Sequence, residues 1–144
     1  MIGYTPIGFT VPKDRHDQTK DKEINRNKNR ICKIACAQDD KYFVMSDLDM
    51  FYEGGLKSAV AYMDEHEDYG AVALFPHDRE EQEREGLHIS SQFILIRTAA
   101  VKDFQAPIEG ACWCHRLCEY LRSTGWKVRY MGRKVKHGKF YNEN

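Results

Sequence analysis

The sequence predicts a three-layer α/β domain with a mostly parallel central sheet, and two observations lead to this fold class. Short apolar runs at 41–46, 69–75 and 91–97 lack polar alternation, which is typical of strands buried on both faces. Segments with apolar residues at helical spacing precede or follow these runs. Because strands that alternate with helices usually pair in parallel, we expect the sheet to be mostly parallel. We expect it to belong to one small domain that spans residues 1–144.

Three segments have the periodicity of amphipathic helices. The first covers 20–38, the second follows Gly55, and the third ends at Gly125, because glycine is the usual residue just after a helix. A short strand, KVRYM, follows the third helix, and residues 2–11 contain one further short strand. These elements complete the alternating pattern.

Two charged runs have no apolar periodicity. Residues 13–23 are rich in turn-forming and charged side chains, and we expect a mobile segment there. Residues 76–88 are predicted to form a solvated loop, with the alternative that the loop orders as a lid over a bound ligand.

Charge and hydropathy limit the partners and the compartment. The 22 basic and 22 acidic residues give a net charge of zero, which argues against nucleic acid or an anionic membrane as the main partner. No apolar stretch approaches the roughly 20 residues of a membrane span. The N-terminus also lacks a basic region ahead of an apolar core, so we expect no signal peptide and a cytoplasmic protein.

The five cysteines lie mostly within apolar, helical patterns, and we interpret them as reduced thiols, in keeping with a cytoplasmic location. A zinc site built from Cys112, Cys114, His115 and Cys118 is the alternative. Spacings of one and then three residues spread these side chains over different faces of a helix, which disfavours that site.

Two aspartates directly follow the first apolar strand, in YFVMSDLDMF. Ligands of open α/β sheets bind beyond the carboxyl ends of the strands, where Asp47 and Asp49 fall. If the strand continues, both carboxylates lie on one face and can hold one Mg²⁺ or Mn²⁺. The alternative is that one aspartate caps the helix near Gly55 or closes an Asx turn.

Four stretches carry a resemblance to a known family: NRICKIACAQDDKYFVMSDLDMF, HISSQFILIRTAAVKDF, RLCEYLRSTGWKV and VKHGKFYN, in this order over residues 25–140. Together they resemble the GT-A-fold glycosyltransferases, in particular the family 2-like members. The resemblance implies a truncated GT-A fold. It also implies transfer of a sugar from a nucleotide-diphosphate donor to an acceptor hydroxyl, with Mn²⁺ or Mg²⁺.

The resemblance also assigns roles to individual residues. Asp47 becomes a contact to the donor ribose or to the metal shell, Asp49 the direct metal ligand, and His137 a later ligand to the same ion. Asn29 and Arg30 are expected to face the diphosphate of the donor. A divalent cation there neutralises the charge that develops on the leaving diphosphate.

The chain departs from the family at the general base. The family has an acidic pair about a dozen residues before the glycine at 125, whereas this chain has Trp113 and Cys114. Glu109 is the nearest carboxylate and His115 the second candidate, because a base needs reach and a suitable pKa.

The chain has only about 24 residues before its asparagine-rich first helix, fewer than the family has. The resemblance therefore implies that the pocket for the nucleotide base is abbreviated or is completed by another subunit in a homo-oligomer. Two other functions stay open. One is a degenerate nucleotide-sugar or partner-binding module of the same fold. The other is a haloacid-dehalogenase-type phosphotransferase, which FVMSDLDMF resembles superficially, although Met50 is unusual for that motif.

Overall fold

The computed structural model describes residues 18–47, 50–52, 55–76, 88–109, 112–132 and 135–137. The elements in chain order are α1 (Gln18–Cys36), β1 (Tyr42–Ser46), β2 (Met50–Tyr52), α2 (Leu56–Glu65), β3 (Tyr69–Ala73), β4 (Phe93–Arg97), a 3₁₀ turn (Thr98–Ala100), α3 (Trp113–Ser123), β5 (Lys127–Tyr130) and β6 (Val135–His137).

The main sheet has four strands in the order β1-β4-β3-β5. β4 is antiparallel to both of its neighbours, with Val44 opposite Leu95 on one side and Ala71 opposite Ile96 on the other. Among the described strands, β3 and β5 are the one pair that runs in parallel. A separate antiparallel ribbon consists of β2 and β6.

The predicted three-layer GT-A-type sandwich with a mostly parallel sheet is therefore wrong. The described part of the chain has three α-helices and a four-stranded mixed sheet, which is too small and too poor in strands for that architecture. The error has a physical origin in β4, since all five residues of Phe93–Arg97 are buried. A strand covered on both faces has the same continuous apolar composition whichever way it runs.

Each face of the main sheet carries its own core cluster. Ile94 and Ile96 of β4 pack with residues of α1 and α3, including Leu117. Phe93 and Leu95 point to the opposite face and pack with residues of α2. Alternation along β4 thus divides the helices between the two faces.

The predicted end of the third helix is confirmed. The N–H of Gly125 bonds the carbonyl of Arg122 at 3.2 Å, and the N–H of Trp126 bonds the carbonyl of Leu121 at 2.8 Å. This pair of bonds is a Schellman motif, which needs the positive φ of 91° that Gly125 adopts.

Other sequence expectations are met only in part. α1 begins at Gln18, inside the segment 13–23 that we expected to be mobile, and residues 13–17 lie outside the described residues. The predicted strand at 2–11 and most of the loop at 76–88 also lie outside them. Within the described ranges, no helix is long and apolar enough to cross a membrane.

Candidate functional site

Asp47 follows the end of β1, as the sequence predicts. Its backbone N–H donates to the carbonyl of Gln92 at 2.9 Å, which continues the line of the β1–β4 pairing beyond the strand. The residue is half-buried. Asp49 lies outside the described residues.

The β2–β6 ribbon joins the segment after Asp49 to a late segment of the chain. β2 and β6 pair in a register that sets Met50 opposite His137. Directly opposed residues of an antiparallel pair have Cα atoms about 4.5–5.5 Å apart. His137 therefore lies across from the residue that follows Asp49 in the sequence, although 87 positions separate it from Met50.

Asn29, predicted to contact the donor, has a scaffold role in the structure. Its Nδ2 donates to the carbonyl of Ala106 at 2.8 Å, and its Oδ1 accepts from the N–H of Ala106 at 2.9 Å. The same Oδ1 accepts a hydrogen bond from Trp113 Nε1 at 3.0 Å. Arg30, the second predicted donor contact, is exposed on α1.

A second asparagine, one turn earlier on α1, binds the backbone of the loop at 105–109, which also contains Ala106. Asn25 is buried and donates from Nδ2 to the carbonyl of Ile108 at 3.2 Å. An open groove of about 630 Å³ lies between the loop and the exposed side of α1, and its lining residues are Lys22, Arg26, Gln105, Ala106, Pro107, Ile108 and Glu109.

Glu109, the first candidate base, is a surface carboxylate in that groove. Its side chain is 76% exposed and forms an ion pair with Lys22 at 2.9 Å. The hydrogen bond from Lys22 holds the pKa of Glu109 below its ordinary value. A lowered pKa makes a carboxylate a weaker proton acceptor.

His115, the second candidate base, lies half-buried on the first turns of α3. Its Nε2 lies 3.6 Å from a carboxylate oxygen of Glu119, one helical turn later. Its ring meets the ring of His88 edge-on, with the centroids 5.5 Å apart. His115 therefore borders a group of residues around His88.

One histidine and two cysteines, His88, Cys112 and Cys114, form a cluster there. The zinc alternative drawn from the sequence contains the two cysteines but not His88. Nε2 of His88 lies 2.9 Å from Sγ of Cys114 and 3.4 Å from Sγ of Cys112. The two sulfurs are 3.2 Å apart. Cys112 caps the N-terminus of α3 and Cys114 lies in its first turn, while His88 comes from the segment before β4.

The zinc alternative drawn from the sequence had the two cysteines but a different histidine, His115. Adjacency along the helix pointed to His115, whereas the chain fold brings in His88 from 24 positions before Cys112. Spacing along the chain carries no signal for such a contact.

The cluster shifts the pKa values of its two cysteines in opposite directions. The hydrogen bond from the Cys114 thiol, with a further contribution from His88, lowers the pKa of Cys112 to about 3. The pKa of Cys114 is raised, because it donates to Cys112 and because it is buried. Burial also raises the pKa of Cys118 to about 11 and that of Cys32 to about 12. Cys112 is thus the thiolate of this region.

A buried lysine faces the cluster. Lys28 is 9% exposed, donates from Nζ to Oγ of Ser91 at 2.6 Å, and lies 5.9 Å from the ring centroid of Trp113. Its charge also favours the thiolate form of Cys114. A cation held away from water stabilises negative charge on the neighbouring sulfurs.

Comparisons with protein-family models, with curated proteins and with solved structures give no match for this chain.

Proposed function

We propose that the protein is a glycosyltransferase, moving a sugar from a nucleotide-diphosphate donor to an acceptor hydroxyl with Mn²⁺ or Mg²⁺. One observation carries the proposal, namely the β2–β6 register that pairs Met50 with His137. It supports a convergence of the aspartate segment and the late histidine, which the family resemblance requires and which the sequence alone cannot test.

The donor set suits the proposed ion. Carboxylates of Asp47 and Asp49 are hard oxygen ligands, and a single imidazole from His137 is compatible with Mn²⁺. When bound, the ion neutralises the charge on the leaving diphosphate. Asp47 follows β1, and its backbone is held to Gln92 at 2.9 Å, so the first carboxylate is attached to a paired part of the sheet.

The state of Glu109 favours a second candidate function, a nucleotide-sugar-binding module without transfer activity. Glu109 is 76% exposed and bonded to Lys22, and the ion pair lowers its pKa. Deprotonation of an acceptor hydroxyl needs a base of higher pKa. Transfer with Glu109 or His115 as base belongs to the first candidate, and binding without transfer to the second.

Calorimetric titration separates these functions. UDP, GDP and their sugars are titrated into the full chain with and without Mn²⁺, and we expect binding that depends on the metal. Asp49→Ala and His137→Ala should each abolish that dependence, while Asp39→Ala, which changes an exposed aspartate after α1, should leave it intact. Metal-independent binding, or no binding, would overturn the proposal.

Turnover then identifies the reaction. Sugar transfer, or slow hydrolysis of the donor, supports the transferase, and tight binding without either supports the binding module. Hydrolysis of an aryl phosphate without nucleotide binding, lost in Asp47→Asn, would instead assign the haloacid-dehalogenase-type activity.

A further inference from the structure

We propose a second metal site, a zinc site formed by His88, Cys112 and Cys114. It is separate in chemistry and ligands from the cation of the proposed transferase and does not depend on that function. The three ligand atoms, one imidazole nitrogen and two sulfurs, all lie within 4.8 Å of one another.

The observed spacings fit a tetrahedral zinc ion. Zn–S bonds of about 2.3 Å and Zn–N bonds of about 2.0–2.1 Å place tetrahedral ligands about 3.6–3.8 Å apart. The sulfurs of Cys112 and Cys114 are 3.2 Å apart, and Nε2 of His88 lies 3.4 Å and 2.9 Å from them. Each pair needs to separate by less than about 0.7 Å to admit the ion.

The ligand types select zinc rather than the harder cations. Thiolates with imidazole suit Zn²⁺, whereas Mn²⁺ and Mg²⁺ prefer oxygen ligands. On binding, Cys114 loses its proton to solvent, and both sulfurs coordinate as thiolates. Three protein ligands leave the fourth position of the tetrahedron to water or to an external ligand.

Two ligands of the proposed zinc site are buried and the third is exposed. His88 and Cys114 are 4% and 7% exposed, so two ligands are fixed in the protein interior. Cys112 is exposed at the N-terminus of α3 and provides the route for the ion. The bound ion joins the segment before β4 to the start of α3.

Neighbouring residues of the ligand types have other contacts. The sulfur of Cys118 accepts the N–H of Ile89 at 3.4 Å, inside the core. Nε2 of His115 lies 3.6 Å from Glu119. The proposed set therefore has His88 where the sequence alternative had His115 and Cys118.

The test uses the full reduced chain, with Zn²⁺ or Co²⁺ alone as the probe. We expect one ion per chain, and with Co²⁺ the charge-transfer absorption of cobalt–sulfur bonds. Cys112→Ser and His88→Asn should each weaken zinc binding by more than about 100-fold, since loss of a ligand exceeds the effect of losing an outer partner. Cys36→Ser and His115→Gln are the matched thiol and histidine controls and should retain it.

Two outcomes overturn the proposal. Binding that survives His88→Asn but is lost in His115→Gln assigns the sequence-based ligand set. Formation of a Cys112–Cys114 disulfide in air without measurable affinity for zinc makes the pair a redox centre. Because Cys112 is exposed, Cys112→Ser keeps the test valid if variants of the buried ligands fail to fold. Nucleotide binding is measured separately, so failure of the zinc site leaves the transferase proposal unaffected.

Discussion

Oδ1 of Asn29 accepts a hydrogen bond from Nε1 of Trp113 at 3.0 Å and thereby joins α1 to the buried start of α3. The same side chain makes two hydrogen bonds with the backbone of Ala106. One carboxamide thus satisfies an indole N–H together with the backbone N–H and carbonyl of Ala106.

Asn29→Ala should lower the free energy of unfolding by about 2–3 kcal/mol, because it leaves those three groups without their partner. Urea denaturation measures the change. Asn27→Ala, at a partly exposed position of the same helix, is the control, with an expected change within about 0.5 kcal/mol. If Asn29→Ala weakens nucleotide binding with no loss of stability, the donor role expected from the sequence is the correct one.

The elements that the sequence predicted correctly are those with local causes. The Schellman end at Gly125 follows from the conformational freedom of one residue, and α1 follows from its apolar spacing. The direction of β4 was not predictable, because Phe93–Arg97 is buried on both faces. β6 has only three residues within a basic tail, so its pairing with β2 gives no recognisable pattern in the sequence.

In the candidate site, too, the features with local causes were predictable and those set by the tertiary fold were not. The position of Asp47 at the end of β1 depends on the strand before it and was predicted. The contact of His88 with Cys112 and Cys114 joins segments that β4 and the residues after it separate in the sequence, and only the tertiary fold brings them together. The family resemblance placed Asn29 at the donor diphosphate, whereas its contacts with Ala106 and Trp113 arise from the tertiary fold.

Gly70 of β3 lies close to Leu121 of α3 and to Trp126, which follows that helix by three residues. A Cβ built at Gly70 would lie 2.9 Å from Cδ2 of Leu121 and 3.1 Å from Cβ of Trp126. Gly70→Ala should therefore destabilise the fold by about 1–3 kcal/mol through overpacking. In a Leu121→Val background, which removes the nearer atom, the added cost should be smaller. Thermal unfolding of the parent chain, the two single variants and the double variant gives the coupling free energy. Equal costs in the two backgrounds contradict the close contact.

Arg97 is a buried cation that bonds backbone carbonyls around the end of α2. It donates to the carbonyl of Met63 at 2.6 Å, to that of His66 at 3.2 Å and to that of Tyr69 at 2.8 Å. Arg97→Met should cost at least about 3 kcal/mol of unfolding free energy, because these carbonyls lose a charged donor at a helix C-terminus.

Arg129→Met is the matched control for Arg97→Met. Arg129 is exposed and bonds the Tyr62 hydroxyl at 2.9 Å, so its loss should cost less than about 1 kcal/mol. Similar costs at the two positions would show that the carbonyl contacts of Arg97 contribute little.

Asp64 gives the fold a pH dependence in the acid range. The hydrogen bond from the Tyr42 hydroxyl at 2.5 Å, and then that from Lys41 at 3.0 Å, lower the pKa of Asp64 below its ordinary value. Its contribution to stability is therefore present above the unfolded-state pKa and is lost as the pH falls through the lower folded-state pKa. Asp64→Asn should flatten the loss of stability between about pH 5 and about pH 2. Glu67→Gln, at an exposed position nearby, should leave the profile unchanged, and urea midpoints across this range decide the matter.

Cys112 should be the most reactive thiol of the reduced, metal-free chain. It is exposed and its pKa is about 3, whereas burial raises the pKa of Cys118 to about 11 and that of Cys32 to about 12. At about pH 6 Cys112 therefore carries far more thiolate than the buried cysteines. Limited treatment with iodoacetamide at that pH, followed by peptide mass spectrometry, should find one alkylated site at Cys112.

The hydrogen bond from Cys114 is the largest cause of that low pKa. Cys114→Ala should therefore raise the pH at which Cys112 becomes reactive, while Cys36→Ser, at a separate half-buried thiol, should leave it unchanged. Because Cys114 is buried, its replacement can disturb the fold, and circular dichroism of both variants is the control that tests this. A pH profile of alkylation that is the same in Cys114→Ala as in the parent chain would mean that the thiol pair does not set the ionisation of Cys112.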